Sequence, residues 1–310
     1  MRNLNNKIGP RVSIIIPTYN RADKIDKAIQ SVLNQTYQNF EIIIVDDSEN
    51  NETEKVVQTF KDPRIKYIHN KKRGNMPKAR NQGVRESDPK SKYIAFLDDD
   101  DEYLPEFLEK TISVLENNPD VVMVITHAEL RTRDGKKIGE ARCDRNIPIW
   151  QVSIGNGCVV RKEIFTKENL WYDERKVFED LDFGIRVLRN RKWRWKCLPE
   201  VLRIYHCYPK PGEVSGSSAL SIEEIEGFYK KHHDFYRQSG KKALGYFYNK
   251  IGREFLKSGD IKRGRRHLFH AFLVYPHPKY LLYYLASFLP FLFKNLRLRI
   301  IKQKIFKGKI

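Results

Sequence analysis

Four consecutive aspartates, Asp98 to Asp101, end the apolar stretch in YIAFLDDDDE (residues 93–102). Like charges at this density repel one another, so the segment needs either a bound cation or contact with solvent. Two carboxylates at positions i and i+2 of an extended chain can turn their oxygens toward one site. Mg²⁺ and Mn²⁺ are commonly held by one or two carboxylates together with phosphate oxygens. Aspartate is also common at turns, so these residues alone leave a metal site and an acidic turn before the next helix equally open.

The aspartates end one of four β-rich runs that are separated by helical patterns. Near-continuous apolar strands that alternate with helices predict a parallel sheet covered on both faces. In such sheets ligands bind outside the carboxyl ends of the strands, and three runs end there in polar or acidic residues: Thr18 to Asn20, Asp46 with Asp47, and Asp98 to Asp101. The predicted strands are RVSIIIPTYN (11–20), FEIIIVDDS (40–48), RIKYIHN (64–70) and KYIAFLDDDD (92–101), and the predicted helices are RADKIDKAIQSVLNQ (21–35), NETEKVVQTF (51–60) and MPKARNQGVRES (76–87).

The following residues continue this alternation and then become helical. The patterns predict helices over 104–117 and 177–190, a strand over 121–130, a loop or hairpin over 131–150, a turn and strand over 155–165, and two late short strands in KWRWKCL and VLRIYHCY. The Pro-, Gly- and Ser-rich stretch PKPGEVSGSS (209–218) is the best candidate for a domain boundary. We therefore expect an α/β domain over residues 1–215 and a basic helical extension over residues 216–310.

Composition and charge restrict the class of protein. The 310 residues are 40% hydrophobic and 31% charged, which is typical of an ordered globular chain. The formal net charge is +19, and residues 216–310 hold 20 Lys and Arg against 6 Asp and Glu. That excess favours an anionic partner, either nucleic acid or an acidic membrane surface. The N-terminus has no apolar core of signal-peptide length.

The four cysteines are Cys143, Cys158, Cys197 and Cys207, and none is part of a CxxC motif. This spacing argues against a zinc cluster or a disulfide framework. Such cysteine usage is typical of a protein in a reducing compartment.

The extension contains an uncharged stretch next to a basic one. Residues 280–293, YLLYYLASFLPFLF, form an uncharged 14-residue run, and residues 294–310 carry seven Lys and Arg. The run is too short for an ordinary membrane span, whereas apolar residues beside tyrosines and cations suit a helix that lies at a membrane interface. The alternative is a helical subdomain whose apolar face packs on the preceding domain.

Several segments, taken in order, resemble the family 2 glycosyltransferases, which are inverting enzymes with a GT-A fold. The resemblance covers about residues 10–210. It implies a Rossmann-like, mostly parallel central sheet flanked by helices. The matching segments are VSIIIPTYNR (12–21), SVLNQTYQNFEIIIVDDSENNET (31–53), ARNQGV (79–84), YIAFLDDDD (93–101) and FEDLDFGIRVL (178–188).

The resemblance assigns nucleotide-binding roles to residues near the ends of the first strands. Pro17, Tyr19 and Arg21 would line the nucleotide pocket, with Tyr19 near the base or the ribose. Asp46 would accept a hydrogen bond from the base, which is uracil if the donor is a UDP-sugar. Asn75, or its neighbours in the GNMPKAR loop, would also approach the nucleotide.

The resemblance also implies a metal site of Mn²⁺ or Mg²⁺. Asp98 and Asp100 form the DxD pattern, and Asp100 is the expected direct ligand. Because the register of four aspartates is ambiguous by one, Asp101 is also a candidate, while Asp99 would face the ribose or the sugar. His206 would be either a third metal ligand near the diphosphate or a partly buried structural histidine.

Asp180 would be the catalytic base, with Glu179 beside it. Without the resemblance, an acid at this position would be explained by the helix dipole, which favours carboxylates at helix N-termini. An acceptor hydroxyl is a poor nucleophile until a carboxylate removes its proton, and a divalent cation neutralises the leaving diphosphate. Retention through a covalent intermediate would need a positioned carboxylate nucleophile, and the sequence identifies none.

The expected protein is therefore a metal-dependent transferase of the hexosyltransferase type, acting on a glycan or a lipid-linked acceptor. We expect it in the cytoplasm, peripheral at the cytoplasmic face of the membrane. A nucleotidyltransferase would also use paired aspartates and Mg²⁺, but the segments around Asp46 and Asp180 fit the glycosyltransferase pattern better. A nucleic-acid-binding protein is the other alternative, although the sequence contains no RNP, KH, zinc-finger or helix-turn-helix motif, so no specific nucleic acid is expected. An inactive relative is disfavoured because the expected acids are present.

Overall fold

The computed structural model describes residues 9–70, 74–132, 134–144, 146–175, 178–189, 191–207 and 220–288. The chain forms two compact units. Of the described residues, those up to 174 and from 179 to 207 belong to the first, and those from 175 to 178 and from 220 to 288 belong to the second. The predicted boundary between residues 215 and 216 lies outside the described residues, so the division at that position stays a prediction.

The first unit opens with the predicted alternation of strands and helices. Strand β1 is buried at all seven positions, as a strand with helices on both faces should be. Helix α1 buries Ile25, Ala28, Ile29 and Val32, which recur at the spacing of one helical face. The elements are β1 Val12–Thr18, α1 Ile25–Leu33, β2 Phe40–Asp46, α2 Glu52–Thr59, β3 Ile65–His69, α3 Met76–Arg85 and β4 Tyr93–Phe96.

The remaining elements of this unit extend the sheet. They are β5 Glu102–Tyr103, α4 Phe107–Glu116, β6 Val121–Arg131, β7 Lys137–Ala141, β8 Cys158–Arg161, α5 Glu163–Thr166, α6 Glu179–Leu188 and β9 Arg194–His206, with a short 3₁₀ helix at Ile149–Gln151. Strands β6 and β7 form the predicted hairpin. Among the described residues the strand order is β3-β2-β1-β4-β8-β6-β9-β5, with β7 beside β6.

The sheet has a parallel half and a mixed half. Strands β3, β2, β1 and β4 are parallel to one another, as predicted. Strand β8 runs antiparallel to both β4 and β6, and β9 is parallel to β6. The parallel arrangement brings the carboxyl ends of β1, β2 and β4 to one edge, where the acidic segments lie.

The structure corrects two expectations in the mixed half. The two predicted late strands are one strand, β9, of 13 residues, because register shifts in its ladder with β6 absorb the irregular sequence between them. The expectation against disulfides is wrong for one pair, since Cys143 and Cys197 form a disulfide across 54 residues. Spacing along the chain does not reveal this pairing, because it depends on which strands become neighbours.

The described part of the second unit is helical, as predicted. Its helices are α7 Ile222–Gln238, α8 Lys241–Lys257, α9 Ile261–Val274 and α10 Pro278–Ala286. Helices α8 and α9 cross closely at Gly252 and Gly264, where a Cβ atom on Gly252 would lie 2.9 Å from the Gly264 carbonyl oxygen. Within the described residues, every helix is too short or too polar to cross a membrane. The uncharged stretch is described only to residue 288, and the basic residues 294–310 lie outside the described residues.

Candidate active site

The four aspartates after β4 alternate between buried and partly exposed positions. Asp99 and Asp101 are each 3% exposed. The side chains of Asp98 and Asp100 retain 26% and 15% of their exposure. The alternation therefore turns one i, i+2 pair toward solvent and the other pair into the protein.

Each of the two buried aspartates accepts hydrogen bonds from neutral donors. The Thr18 hydroxyl donates to Asp99 Oδ2 at 2.6 Å, and the backbone N–H of His206 donates to Asp101 Oδ1 at 2.9 Å. The Asn156 side chain accepts from the Asp98 backbone N–H at 3.0 Å and donates to Asp101. These contacts fix the direction of the acidic turn and explain how two of its carboxylates are accommodated below the surface.

Arg21 offsets charge at the first part of this turn. Its guanidinium lies 2.9 Å from Asp99 Oδ1 and 2.8 Å from Asp100 Oδ2. Burial raises the pKa of Asp99 to about 6, although Arg21 and the Thr18 hydroxyl act in the opposite direction. Burial likewise raises the pKa of Asp100, again opposed by Arg21. In this structure Arg21 therefore contacts the aspartates, in addition to the nucleotide role expected for it.

Arg80, the last residue of the GNMPKAR segment, contacts two carboxylates that the sequence does not link to it. It lies on α3, is 2% exposed, and donates to Asp180 and, at 3.3 Å, to Asp98. The rings of Phe96 and Tyr172 lie 5.8 and 5.5 Å from its guanidinium carbon. One buried cation thus joins a carboxylate of the acidic turn to the expected base.

Asp180 lies in the first turn of α6, directly after Glu179. Its carboxylate lies directly against Gly155, so that a Cβ atom added to Gly155 would overlap the Asp180 side chain. The backbone carbonyl of Asp180 accepts from the Ile154 N–H at 2.9 Å. The side chain is 36% exposed, yet desolvation by the surrounding protein raises its pKa to about 6 against the opposing effect of Arg80. Such a carboxylate is ionised at neutral pH and can still accept a proton.

The residues expected to bind the nucleotide flank the ends of β1 and β2. Pro17 is buried within β1, and Tyr19 donates its hydroxyl to Glu49 at 3.1 Å. Asp46 is fully buried and accepts from the Ser48 N–H at 2.8 Å and from the Tyr67 hydroxyl at 2.7 Å. A base that hydrogen-bonded to Asp46 would have to reach a carboxylate with no exposed surface in this structure.

Asn75 and His206 also make structural contacts. Asn75 is the N-cap of α3, accepting from the Lys78 N–H at 3.0 Å, and its amide donates to the Glu174 carbonyl at 2.8 Å. His206 Nε2 lies 2.8 Å from Glu102 Oε1. The hydrogen bond from His206 lowers the pKa of Glu102. The side chain of His206 is 8% exposed, which fits the structural interpretation, and its role as a metal ligand stays a prediction.

The donor set of Asp98 and Asp100 is suited to a divalent metal ion. Both are carboxylates that are partly open to solvent, and hard ions such as Mg²⁺ and Mn²⁺ prefer oxygen ligands. Their partners Arg80 and Arg21 lie at one oxygen each, so the carboxylates keep further lone pairs for an ion. The chemistry of these residues therefore fits a metal site whose ligands are positioned by the acidic turn.

Comparison with known proteins identifies the sequence family. The model of glycosyl transferase family 2 matches residues 13–178. A putative colanic acid biosynthesis glycosyl transferase, WcaA, of Escherichia coli K12 is 30% identical over 76% of this chain and 86% of its own length. An uncharacterized glycosyltransferase of Methanocaldococcus jannaschii is 31% identical over 71% of this chain and 78% of its own length.

Solved structures share the fold. Staphylococcus aureus TarS 1–349 in complex with UDP-GlcNAc superposes with a TM-score of 0.62 at 17% identity, over 96% of this chain and 92% of that one. The mannosyltransferase PcManGT of Pyrobaculum calidifontis in complex with GDP-Man and Mn²⁺ gives a TM-score of 0.53 at 15% identity, over 96% and 85%. The predicted GT-A fold class is thereby confirmed.

Proposed function

The chain belongs to glycosyl transferase family 2, and from this premise we propose that it is an inverting, metal-assisted transferase that moves a sugar from a nucleotide-sugar to an acceptor hydroxyl. The observation that supports this most directly is the position of Arg80. Its guanidinium contacts both Asp98 and Asp180. A carboxylate suited to a metal ion and a carboxylate suited to proton transfer therefore lie within reach of one side chain.

In this proposal Asp180 is the general base. Direct displacement requires a base on the face of the sugar opposite the leaving group, and its carboxylate would take the proton of the attacking hydroxyl. Arg80 holds that carboxylate in place and keeps it ionised by its positive charge. Glu179 lies beside Asp180 at the start of α6, where both acids are favoured by the helix dipole.

Asp98 and Asp100 would hold Mn²⁺ or Mg²⁺, and the ion would neutralise the charge that develops on the leaving diphosphate. Asp99 would face the ribose or the sugar from its place beside Thr18 and Arg21. The exposure of Asp98 and Asp100, compared with the burial of Asp99 and Asp101, favours this register for the metal ligands over one that uses Asp101.

We propose a UDP-sugar as the donor, since TarS was solved with UDP-GlcNAc, although PcManGT was solved with GDP-Man. The acceptor would be a glycan or a lipid-linked saccharide. The family match gives no support to the nucleotidyltransferase or to the nucleic-acid-binding alternative. The decisive test is a screen of UDP-, GDP- and other nucleotide-sugars for binding and hydrolysis with Mn²⁺, with Mg²⁺ and with chelator. Absence of binding to every nucleotide-sugar with either ion would reject the proposed function.

Substitution of the expected metal ligand Asp100 tests the metal site separately. We expect Asp100→Ala to weaken metal-dependent nucleotide-sugar binding by at least about tenfold, because loss of even an outer partner of a metal site costs about 10- to 100-fold. Titration calorimetry with and without Mn²⁺ measures this change. The matched control is Asp120→Asn, since Asp120 lies before the first residue of β6 and is 51% exposed. Unchanged Mn²⁺-dependent binding in Asp100→Ala, or an equal loss in both variants, would contradict the assignment.

We also propose that residues 216–310 form an extension that attaches the catalytic domain, residues 1–215, to the cytoplasmic face of a membrane. Support comes from an apolar patch on α9 and α10, which we call the α9–α10 patch. The Tyr284 ring lies 5.1 Å from Phe269 and 5.3 Å from Phe288 and joins the two helices. The exposed members of the α9–α10 patch are Phe269 (41%), Leu273 (57%), Leu282 (47%), Leu285 (54%) and Phe288 (48%). The Arg265 guanidinium lies 4.1 Å from the Phe288 ring, so a cation borders the patch and would attract anionic lipid headgroups.

Sedimentation with lipid vesicles tests this attachment. The full chain should bind phosphatidylglycerol vesicles more strongly than phosphatidylcholine vesicles. Replacing both Leu282 and Leu285 by Ser should weaken binding at least tenfold, since burying a leucine contributes about 1.5–3 kcal/mol. Ile261→Ser is the matched control, because Ile261 is 42% exposed at the opposite end of α9 from Leu273. Equal binding of the double variant and the wild type would reject a membrane role for the patch.

A further inference from the structure

A cluster of sulfur and nitrogen ligands lies in the mixed half of the sheet and has no part in the proposed transfer reaction. Cys197 belongs to β9, His127 to β6, and Cys143 to the residues that follow β7. One potential ligand atom of each residue lies within 4.8 Å of the other two. Around a tetrahedral zinc ion with bonds of about 2.0–2.3 Å, ligand atoms lie on the order of 3.5 Å apart. In the disulfide the two sulfur atoms are bonded to each other and lie closer than this, so reduction must first let them separate, whereas His127 already lies beside them.

The backbone directs His127 toward the two cysteines. The ladder between β6 and β9 shifts register on both sides of His127, and such bulges turn a side chain away from its regular direction. The Nε2 atom lies 3.3 Å from the Cys143 carbonyl oxygen. Histidines that bind metal commonly donate one ring N–H to a carbonyl and present the other nitrogen to the ion. If Nε2 donates to this carbonyl, Nδ1 is the nitrogen that His127 would present to the ion.

The two sulfur atoms are positioned by strand backbone. Cys197 pairs with Ile125 of β6, and the Cα atoms of Cys143 and Cys197 are 5.7 Å apart. The Cys143 Sγ lies 3.7 Å from the Ile125 carbonyl oxygen and 3.8 Å from that of Leu198. Reduction of the disulfide would thus leave two thiols that neighbouring strands hold together.

We propose that Cys143, Cys197 and His127 bind one Zn²⁺ when the disulfide is reduced, with water or a fourth ligand completing the tetrahedron. Two thiolates and an imidazole are ligands that zinc accepts readily, whereas Mg²⁺ and Mn²⁺ prefer oxygen. The spacing along the chain argued against a zinc cluster, because zinc motifs are recognised by ligands that lie close in sequence. Here the ligands come from three separate segments that the sheet brings together.

Reduction of the disulfide, followed by zinc binding, converts one form of the site into the other. A dithiol reductant transfers two electrons and two protons to the disulfide, which becomes two thiols while the reductant becomes a disulfide. Zinc then binds the thiolates, and the two thiol protons pass to solvent. The same residues therefore hold either a disulfide or a metal ion.

Cobalt substitution distinguishes this site from the aspartate site. The full chain is reduced with a dithiol, freed of metal with a chelator, exchanged into buffer and titrated with Co²⁺. We expect one Co²⁺ per chain to give a thiolate-to-cobalt charge-transfer absorption that Zn²⁺ abolishes by displacement. Co²⁺ on Asp98 and Asp100 cannot give that band, because its ligands are oxygens. Protein oxidised before the titration should give no band, and absence of the band in reduced protein would overturn the proposal.

Variants assign the ligands. Cys143→Ser and Cys197→Ser should each abolish the charge-transfer band or weaken Co²⁺ affinity at least tenfold, and His127→Ala should weaken it by a similar factor. Cys207→Ser is the matched control and should keep the band, because Cys207 is a free cysteine outside the cluster. A band that persists unchanged in Cys143→Ser or Cys197→Ser would overturn the proposal.

A measurement on the wild-type chain covers the case in which a variant fails to fold. Reduced protein is treated with an alkylating reagent with and without Zn²⁺, and mass spectrometry identifies the modified cysteines. Zn²⁺ should slow alkylation of Cys143 and Cys197 at least tenfold and leave the rate at Cys207 unchanged. Equal rates at Cys143 with and without Zn²⁺ would overturn the proposal.

Discussion

The first unit carries two clusters of potential metal ligands, and they differ in donor atoms and in surroundings. The carboxylate cluster, Asp98 to Asp101, has oxygen donors, and its partly exposed members Asp98 and Asp100 contact the guanidinium groups of Arg80 and Arg21. The cysteine cluster, Cys143, Cys197 and His127, has sulfur and nitrogen donors, and backbone carbonyls contact it. The difference suits the separate proposals made for them: exchangeable binding of a hard cation with substrate at the first, and a disulfide or a zinc ion at the second.

If the carboxylate cluster and Asp180 carry out sugar transfer, the largest loss of activity should come from replacing Asp180, the proposed base. Asp180→Asn keeps the size of the side chain and removes its ability to accept a proton, so transfer should fall by about 10²- to 10⁴-fold. Donor binding, measured by calorimetry with Mn²⁺, should change less than about threefold, because the metal ligands remain. Loss of donor binding equal to the loss of transfer would assign Asp180 to binding instead. Cys207→Ser serves as the control for handling and folding.

If the cysteine cluster serves to cross-link strands, its largest effect should be on stability. The disulfide closes a loop of 54 residues, and cross-links of this length stabilise by roughly 2–4 kcal/mol through the unfolded chain. Reduction in the presence of chelator should therefore lower the midpoint of urea unfolding, followed by circular dichroism. Cys143→Ser should unfold at the lower midpoint with or without reductant. If reduction also lowered the midpoint of Cys143→Ser, the effect would not arise from this disulfide.

The two clusters also differ in how far the sequence reveals them. The acidic turn is contiguous, and it follows an apolar strand whose burial is evident from its composition, so both its place at the sheet edge and the parallel half could be predicted. The contacts of Arg80 with Asp98 and Asp180 could not be predicted, because these partners lie 18 and 100 residues away and a lone arginine in a helix gives no signal for them. The pairing of Cys143 with Cys197 is hidden in the sequence for the same reason. Contacts between distant residues depend on strand order, and no local sequence pattern encodes the positions of β8 and β9 in the sheet.

A smaller effect is expected from the glycine that borders Asp180. A Cβ atom at Gly155 would overlap the Asp180 carboxylate, so Gly155→Ala should displace that group or the loop beside it. A displacement of about 1 Å at a reacting group can cost on the order of 100-fold in rate, and we expect a fall in kcat of that order. Gly227→Ala is the matched control, since a Cβ atom at Gly227 would meet only Arg175 Nη1 at 3.8 Å, an ordinary van der Waals contact. Unchanged kcat in Gly155→Ala would show that Asp180 does not need its present position.

The smallest effect that still separates the roles of Asp180 and the carboxylate cluster is the dependence on pH. Desolvation raises the pKa of Asp180 to about 6, and a base must be ionised to accept a proton. At saturating donor, kcat should therefore be constant above pH 7 and fall tenfold per pH unit below about 6. Burial also raises the pKa of Asp99, but Asp99 lies beside Thr18 and Arg21 rather than Asp180, and a metal ion on its neighbours would lower that pKa again. Its protonation should therefore appear in donor affinity, at a lower pH than the fall in kcat. Measuring kcat and donor affinity separately from pH 5 to 8 assigns each midpoint. Asp180→Glu should move the kcat midpoint and leave the affinity midpoint in place, whereas a shift of both midpoints together would mean that one group controls binding and chemistry alike.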